Sequence, residues 1–339
     1  MFGAPTSRQF FLIALLVVLG FVLPLVLPQY FLFIGNMLMM YTVLALGFDI
    51  LVGWSGQFAF AHIAFFGIGI YGTALLNIRL GIPFIVGMPI AATIAGLTGF
   101  LIGMPATRLR TIYLALATLA FAECAQWLIR TWDSLTNGAD GVKIPAPKIF
   151  GYVAGTDGSA FPIVAAILAI VLLSVLFLST SKFARSLGAI RESEHVATAS
   201  GINVAFVKVL AFTISAVYAS IAGSMFTLFQ SFVDPDALDA RSLVLMLSML
   251  VVGGSGSIPG VVIGVVLMGV LPEVLRFAPS NLLVWQEFVY GSIVILAVMF
   301  MPRGIWGIVQ TRVRRKISVS ARDAHVHLQG KQDSLSKPD

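Results

Sequence analysis

KFARSLGAIRESEHVATASGINVAFVK, residues 182–208, is the long charge-rich stretch between two strongly apolar runs, and the rest of the chain is read from it. Ser186 suits a helix start, where a backbone N–H without an intrahelical acceptor can donate to the side-chain oxygen. Leu187 to Ser200 contains no proline and is rich in helix formers. Gly201 suits the left-handed position just past a helix end, and Asn203 suits the cap of a helix entering the next apolar run at Val204. The stretch therefore predicts a short amphipathic helix at a membrane surface, a sharp break, and then a spanning helix. Such a knob is a lever on which a soluble partner can push. A plainer reading stands beside it, a solvated loop whose positive charges only fix topology.

Composition sets the class. Apolar residues make up 58% of the 339 and charged residues 11%, with a mean hydropathy of +0.97. A soluble domain carries about 25% charged residues. The fold expected is an all-α polytopic membrane protein of about eight to ten transmembrane helices, some short or re-entrant. The single cysteine, Cys124, excludes an intrachain disulfide. The net charge of +6 follows membrane topology and does not point to nucleic acid. The apolar run after Arg8 extends to Pro28, longer than a signal-peptide core, and no small-x-small cleavage site follows it, so it reads as a retained span.

Taken in order, the spans expected are Phe10–Leu27, Phe31–Val52 (interrupted at Gly35-Asn36), Phe58–Leu76, Phe84–Ala106, Thr111–Ile129, Phe161–Thr180, Val204–Phe229 and Leu283–Met301. A polar segment, residues 130–160, separates the fifth from the sixth. Ser242–Val252 and Val261–Leu275, on either side of GGSGSIPG, read either as two spans or as one re-entrant hairpin. With both termini in the cytoplasm, fifteen of the 21 Lys and Arg residues fall inside and six outside, which agrees with the positive-inside bias. Residues 1–306 then form the membrane domain, and 307–339 a basic cytoplasmic tail expected to be disordered. LVGWSG at 51–56 echoes VVGGSG at 251–256 in four of six positions, a short match that is weak evidence for an internal repeat.

Two further segments carry polar groups into apolar surroundings. GWSGQFAFAHIAFFGIGIYG, residues 53–72, places Ser55, Gly56, Gln57 and His62 where lipid offers no hydrogen bonds. It is either helix-packing glue or a broken helix lining a solute path. Glu123 is the acid deep in TIYLALATLAFAECAQWLI, either a hydrogen-bonded packing acid or a pathway or interface residue. Asp49 is expected to be solvated or at a helix end near the cytoplasmic boundary. Asp234, Asp236 and Asp239 lie on an outer loop, where they are plain loop residues or part of a docking surface.

Two enzyme readings fail. GWSG and GGSG match a serine-nucleophile pattern, but none of His62, His195, His325 and His327 lies on a later span facing Ser55 or Ser255. No Gly-x-x-x-x-Gly-Lys-[Ser/Thr] loop is present, so energy must come from a partner ATPase or an ion gradient. No metal-ligand spacing is seen either.

SLGAIRESE, followed by Ala197 and SGINVAFVKVLAFTISAVYASIAGSMF, resembles the coupling segment of ABC-transporter permeases. Together with SGQ-x-x-x-x-H-x-x-F-F-G-I-G and TLAFAE, it resembles the LivM-type permease subunits of branched-chain amino acid importers. The strict permease signature, Glu-Ala-Ala-x-x-x-Gly, is altered here, because Glu194 stands seven residues before Gly201. The resemblance implies a transport subunit with no catalytic site and no cofactor of its own, ATP acting through its partner. The partners implied are a second LivH-like permease, two ATP-binding subunits, a periplasmic solute-binding protein and membrane lipid. It implies that Ser186, Ile190, Arg191, Glu192, Glu194, Ala197 and Gly201 couple to the ATPase. The solute implied is a branched-chain amino acid, with urea, amides or aromatic acids as alternatives. An ion-coupled secondary transporter is the competing class.

Overall fold

A computed structural model of the chain describes residues 7–109, 111–149, 152–234, 240–276, 286–300 and 304–308. The long helices are α1 (Ser7–Val26), α2 (Gln29–Asp49), α3 (His62–Leu80), α4 (Phe84–Ala106) and α5 (Thr111–Thr131), then a short α6 (Asp133–Thr136) and α7 (Asp157–Thr180). After these come α8 (Lys182–Glu192), α9 (Glu194–Ala199), α10 (Val204–Phe229), α11 (Ala240–Gly253), α12 (Ile258–Arg276) and α13 (Gln286–Phe300). Eight helices among the described residues are long and apolar enough to cross a membrane. The chain is an all-α polytopic membrane protein, as composition requires.

The bundle is built on α10, which packs against α2, α3 and α4, while α7 packs on α2 and α1 packs on α7. α3 crosses α10 at backbone contact. A Cβ on Gly69 would strike the backbone of Ser220, and one on Gly223 would strike the Phe66 carbonyl, so no larger residue fits either place. Such close backbone approach is how helices associate where water supplies no driving force. Thr73 and Ser224 hydrogen-bond at 2.7 Å beside this crossing. Gly35-Asn36 does not interrupt α2. The Asn36 amide donates instead to the Asp157 carbonyl at 3.0 Å, and Gly35 lies against the Phe161 ring, so the small polar pair is a contact to α7 rather than a break.

The helix ends gather at two poles. At one, Arg79 on α3 donates to the carbonyls of Ser134 and Leu135, and Gln29 accepts from the Gly158 N–H at 3.2 Å. Here β1 (Val142–Lys143) pairs antiparallel with β4 (Phe232–Val233), and β2 (Lys148–Ile149) with β3 (Tyr152–Val153). The polar segment 130–160 thus has local structure, ending in a Thr156–Ser159 capping box at the start of α7. At the opposite pole lie α8, α9, the α2–α3 connection and the turn between α11 and α12. These last two helices pack as an antiparallel pair. The 14 residues of α11 extend about 21 Å, short of a hydrocarbon core of about 30 Å. The tail from residue 309, and with it His325 and His327, lies outside the described residues, as do Asp236 and Asp239.

Candidate functional site

The 182–208 stretch folds as two helices rather than one. α8 is capped five residues before the expected position, because Lys182 to Arg185 contains no helix breaker and Ser181, in extended conformation, already supplies the cap. Its oxygen accepts from the Ala184 N–H at 3.3 Å. Ser186 is therefore inside the helix, where its hydroxyl donates back to the Lys182 carbonyl at 3.0 Å. The chain then breaks at Ser193, which is extended (φ −164°) and caps α9. Ala184, Leu187 and Ile190, three residues apart, are buried against the bundle, and Ala197 is buried from α9. Arg191, Glu192, Glu194, His195 and Val196 are exposed around the break.

Gly201 has φ +80°, the left-handed conformation that its place past a helix end calls for. Asn203 accepts from the Phe206 N–H at 3.1 Å and so caps α10. Lys208, one turn into α10, reaches back to Glu194 at 2.6 Å. The lysine side chain is 5% exposed and the glutamate 54%, so the pair fastens α9 to the membrane helix that follows it.

α2 ends at Asp49, a π-helical turn, Ile50–Trp54, continues from it, and irregular chain then runs to the start of α3 at His62. The break expected near GWSGQ is thus present, and it lies at the pole of α8. Gly56 is packed against the Arg191 side chain. The Ser55 hydroxyl donates to the Leu51 carbonyl at 2.6 Å. The Gln57 side chain is buried, and neither its amide nitrogen nor its oxygen has a partner among the described residues. A cleft of about 470 Å³ lies between this connection and the coupling segment, lined by Ser55, Gln57, Arg108, Arg191, Glu194 and Lys208 among others.

His62 and Glu123 stand apart from this group. His62 is fully buried, with Nε2 donating to the Leu44 carbonyl at 2.9 Å and Nδ1 bonded to the Ser215 hydroxyl at 3.0 Å. Both ring nitrogens are used in joining α2, α3 and α10. Glu123 is exposed on α5, on a stripe with Leu116, Ala120 and Trp127 that faces away from the bundle.

Asp49 stands at the end of α2, one of the two placements expected, but it is 1% exposed rather than solvated. One carboxylate oxygen accepts from the Gly256 N–H at 2.7 Å and the other from the Trp54 indole N–H at 3.1 Å. Gly256 sits in the turn between α11 and α12, so the two echoed segments, 51–56 and 251–256, meet in space. That echo was the one available signal for this contact.

Comparison with known proteins agrees with the architecture. Residues 30–299 match the family described as branched-chain amino acid transport system / permease component. The chain is 30% identical to the high-affinity branched-chain amino acid transport system permease protein LivM of Escherichia coli, over 93% of this chain and 78% of that protein. It is 27% identical to LivH of the same organism, over 79% of this chain and 91% of that protein. A probable LivM of Methanocaldococcus jannaschii is 27% identical over 71% of this chain and 77% of its own length. No solved structure matches the chain. A bundle of apolar helices with a capped, two-helix knob at one pole, matched over most of its length, makes this a multi-pass inner-membrane protein and an ABC-importer permease subunit, belonging to the family of branched-chain amino acid transport permease components.

Proposed function

We propose that the chain forms half of the membrane path of an importer for branched-chain amino acids, driven by ATP hydrolysis on partner subunits. The observation that carries this reading is the α8–α9 knob. Its apolar face is buried in the bundle, and its charged break, Arg191 to Val196, is presented outward between two spanning helices. Two ATP-binding subunits engage the paired knobs of two permeases, and the chain itself makes and breaks no covalent bond. ATP binding then shifts the pair between two states through differential affinity.

A second, LivH-like permease covers the exposed stripe of α5. An acid in mid-span is costly against lipid, which favours a protein or water-lined surface around Glu123. The solute passes between the two permeases there. Both termini lie in the cytoplasm, and a periplasmic solute-binding protein docks on the pole formed by residues 130–160. The coupling role belongs to Ile190, Arg191, Glu192, Glu194, Ala197 and Gly201, with Ser186 holding the first turns of α8. Ser55, Gly56 and Gln57 line the cytoplasmic mouth.

The test is purification of this chain from its native membrane in mild detergent, with co-purifying subunits identified by mass spectrometry, then reconstitution for uptake of radiolabelled leucine. A second permease, a P-loop ATPase and ATP-dependent uptake are expected. Recovery of the chain alone, active with an ion gradient, overturns the proposal.

A further inference from the structure

Three elements far apart in sequence meet beside the coupling segment. The first is α8, whose Arg191 guanidinium donates to the carbonyl of Gly53. The second is the π-helical turn that carries Gly53. The third is the tip of the α11–α12 pair, whose Gly256 N–H donates to Asp49 at 2.7 Å. Asp49 immediately precedes the turn, and its other oxygen accepts from Trp54 at the turn's far end. A continuous path of polar contacts therefore runs from the knob through the turn to the tip.

The chemistry of this node is costly unless it has a purpose. A buried carboxylate is tolerated only when donors satisfy it, and here both donors come from backbone or ring groups that must hold their place. A Cβ at Gly53 would come within 2.5 Å of the Gly256 nitrogen, so the two segments are as close as their backbones allow. Asp49 is sealed from water, so pulling the tip away leaves a buried donor and acceptor with nothing to replace their bond. A joint of that kind moves as a unit or breaks at substantial cost. π-Helical turns are rare and recur at functional positions, which fits a turn that serves as a joint.

We propose that Asp49 is a positioning residue that fastens the α11–α12 tip to the coupling segment, so that the push of the ATPase on α8 is delivered to both as one body. This deepens the importer reading and rests on it. The task of α11 and α12 is then to follow the knob, not merely to fill the bundle.

The test uses the assembled complex in nanodiscs and proteoliposomes. Spin labels at Lys182→Cys and Ser255→Cys, in a Cys124→Ala background, report the separation of knob and tip with and without trapped ATP. The separation is expected to stay the same in the two nucleotide states, and to broaden in Asp49→Leu. Leucine moved per ATP hydrolysed is expected to fall about tenfold in Asp49→Leu, at unchanged basal ATPase rate. Asp49→Asn, which keeps an acceptor for the Gly256 N–H, should stay within about twofold of wild type. Knob and tip that separate in the wild-type complex when ATP binds, or an Asp49→Leu complex that couples normally, overturn the proposal. The wild-type distances decide the matter even where Asp49→Leu does not assemble. A wild-type complex that lacks ATP-driven leucine uptake refutes the solute or importer reading instead, and leaves the distance measurement to judge Asp49.

Discussion

Replacing Glu194 by alanine should expose how far α9 depends on its lysine. The ammonium of Lys208 is almost sealed by the bundle, and its charge is answered by Glu194 at 2.6 Å. Removing one partner of a fully buried pair costs about 3–5 kcal/mol. The carboxylate here is half exposed, so water screens it and partly replaces it, and a charged hydrogen bond of about 2 kcal/mol is the better measure. In a protein of this size that corresponds to a fall in Tm of about 3 °C. Lys208→Met should cost less, because the thioether fills the same apolar channel without a charge to satisfy. Glu194→Ala added to Lys208→Met should then cost no more than about 0.5 kcal/mol, giving a coupling energy of about 1.5 kcal/mol. Melting of the nanodisc complex followed by tryptophan fluorescence measures all four members of the cycle. Additive losses, or a Glu194→Ala protein that melts within about a degree of wild type, would refute the idea that this pair fastens α9 to α10.

Other substitutions probe the remaining parts of the bundle. Gly69→Val should prevent close packing of α3 on α10 at a cost of about 2–3 kcal/mol, read as loss of monodisperse protein on gel filtration; normal yield and Tm would contradict the crossing described. Gln57→Met removes a buried amide with no partner among the described residues, and should leave Tm unchanged or raise it by a few degrees; a marked fall would mean the amide is satisfied. Ser193→Ala deletes the α9 cap, worth about 1 kcal/mol, and should speed hydrogen exchange in Glu194–Ala199 without affecting α10; uniform protection would count against the cap. Glu123→Gln should leave expression intact and reduce uptake, whereas loss of folded protein would make it a packing acid.

Most of the spans were legible because they are long apolar runs with breakers at their ends; the bounds of the last, Leu283–Met301, lie outside the described residues. Phe84–Ala106 and Val204–Phe229 are bounded in the structure as the sequence bounds them. Gly201 and Asn203 were equally clear, since few residues suit a left-handed turn or a helix cap. The start of α8 was not, because Ser181 and Ser186 are both competent caps and the choice falls to the apolar spacing of Ala184, Leu187 and Ile190. The burial of Asp49 was not legible, for a different reason. Its donors, Gly256 and Trp54, come from a turn 207 residues away and from a π-helical register, and neither leaves a periodic trace. Ser55, Gln57 and His62 looked alike as polar residues in one apolar stretch. The structure separates them, with His62 fastening three helices and the other two facing the coupling segment.

The placement of α1 has a consequence for how the protein is made. α1 packs on α7, with the Phe10 ring tilted against Phe177 at 6.3 Å and Gly20 against Ala165, and it barely touches α2, its neighbour in sequence. α7 begins at Asp157, so more than a hundred residues are synthesised between the two. At about 5–20 residues per second, α1 enters the bilayer ~10 s before its partner emerges. During that interval its only solvent is lipid or the insertion machinery. Its almost uninterrupted apolar surface, with no acid or base from Gln9 to Val26, is what allows it to wait there.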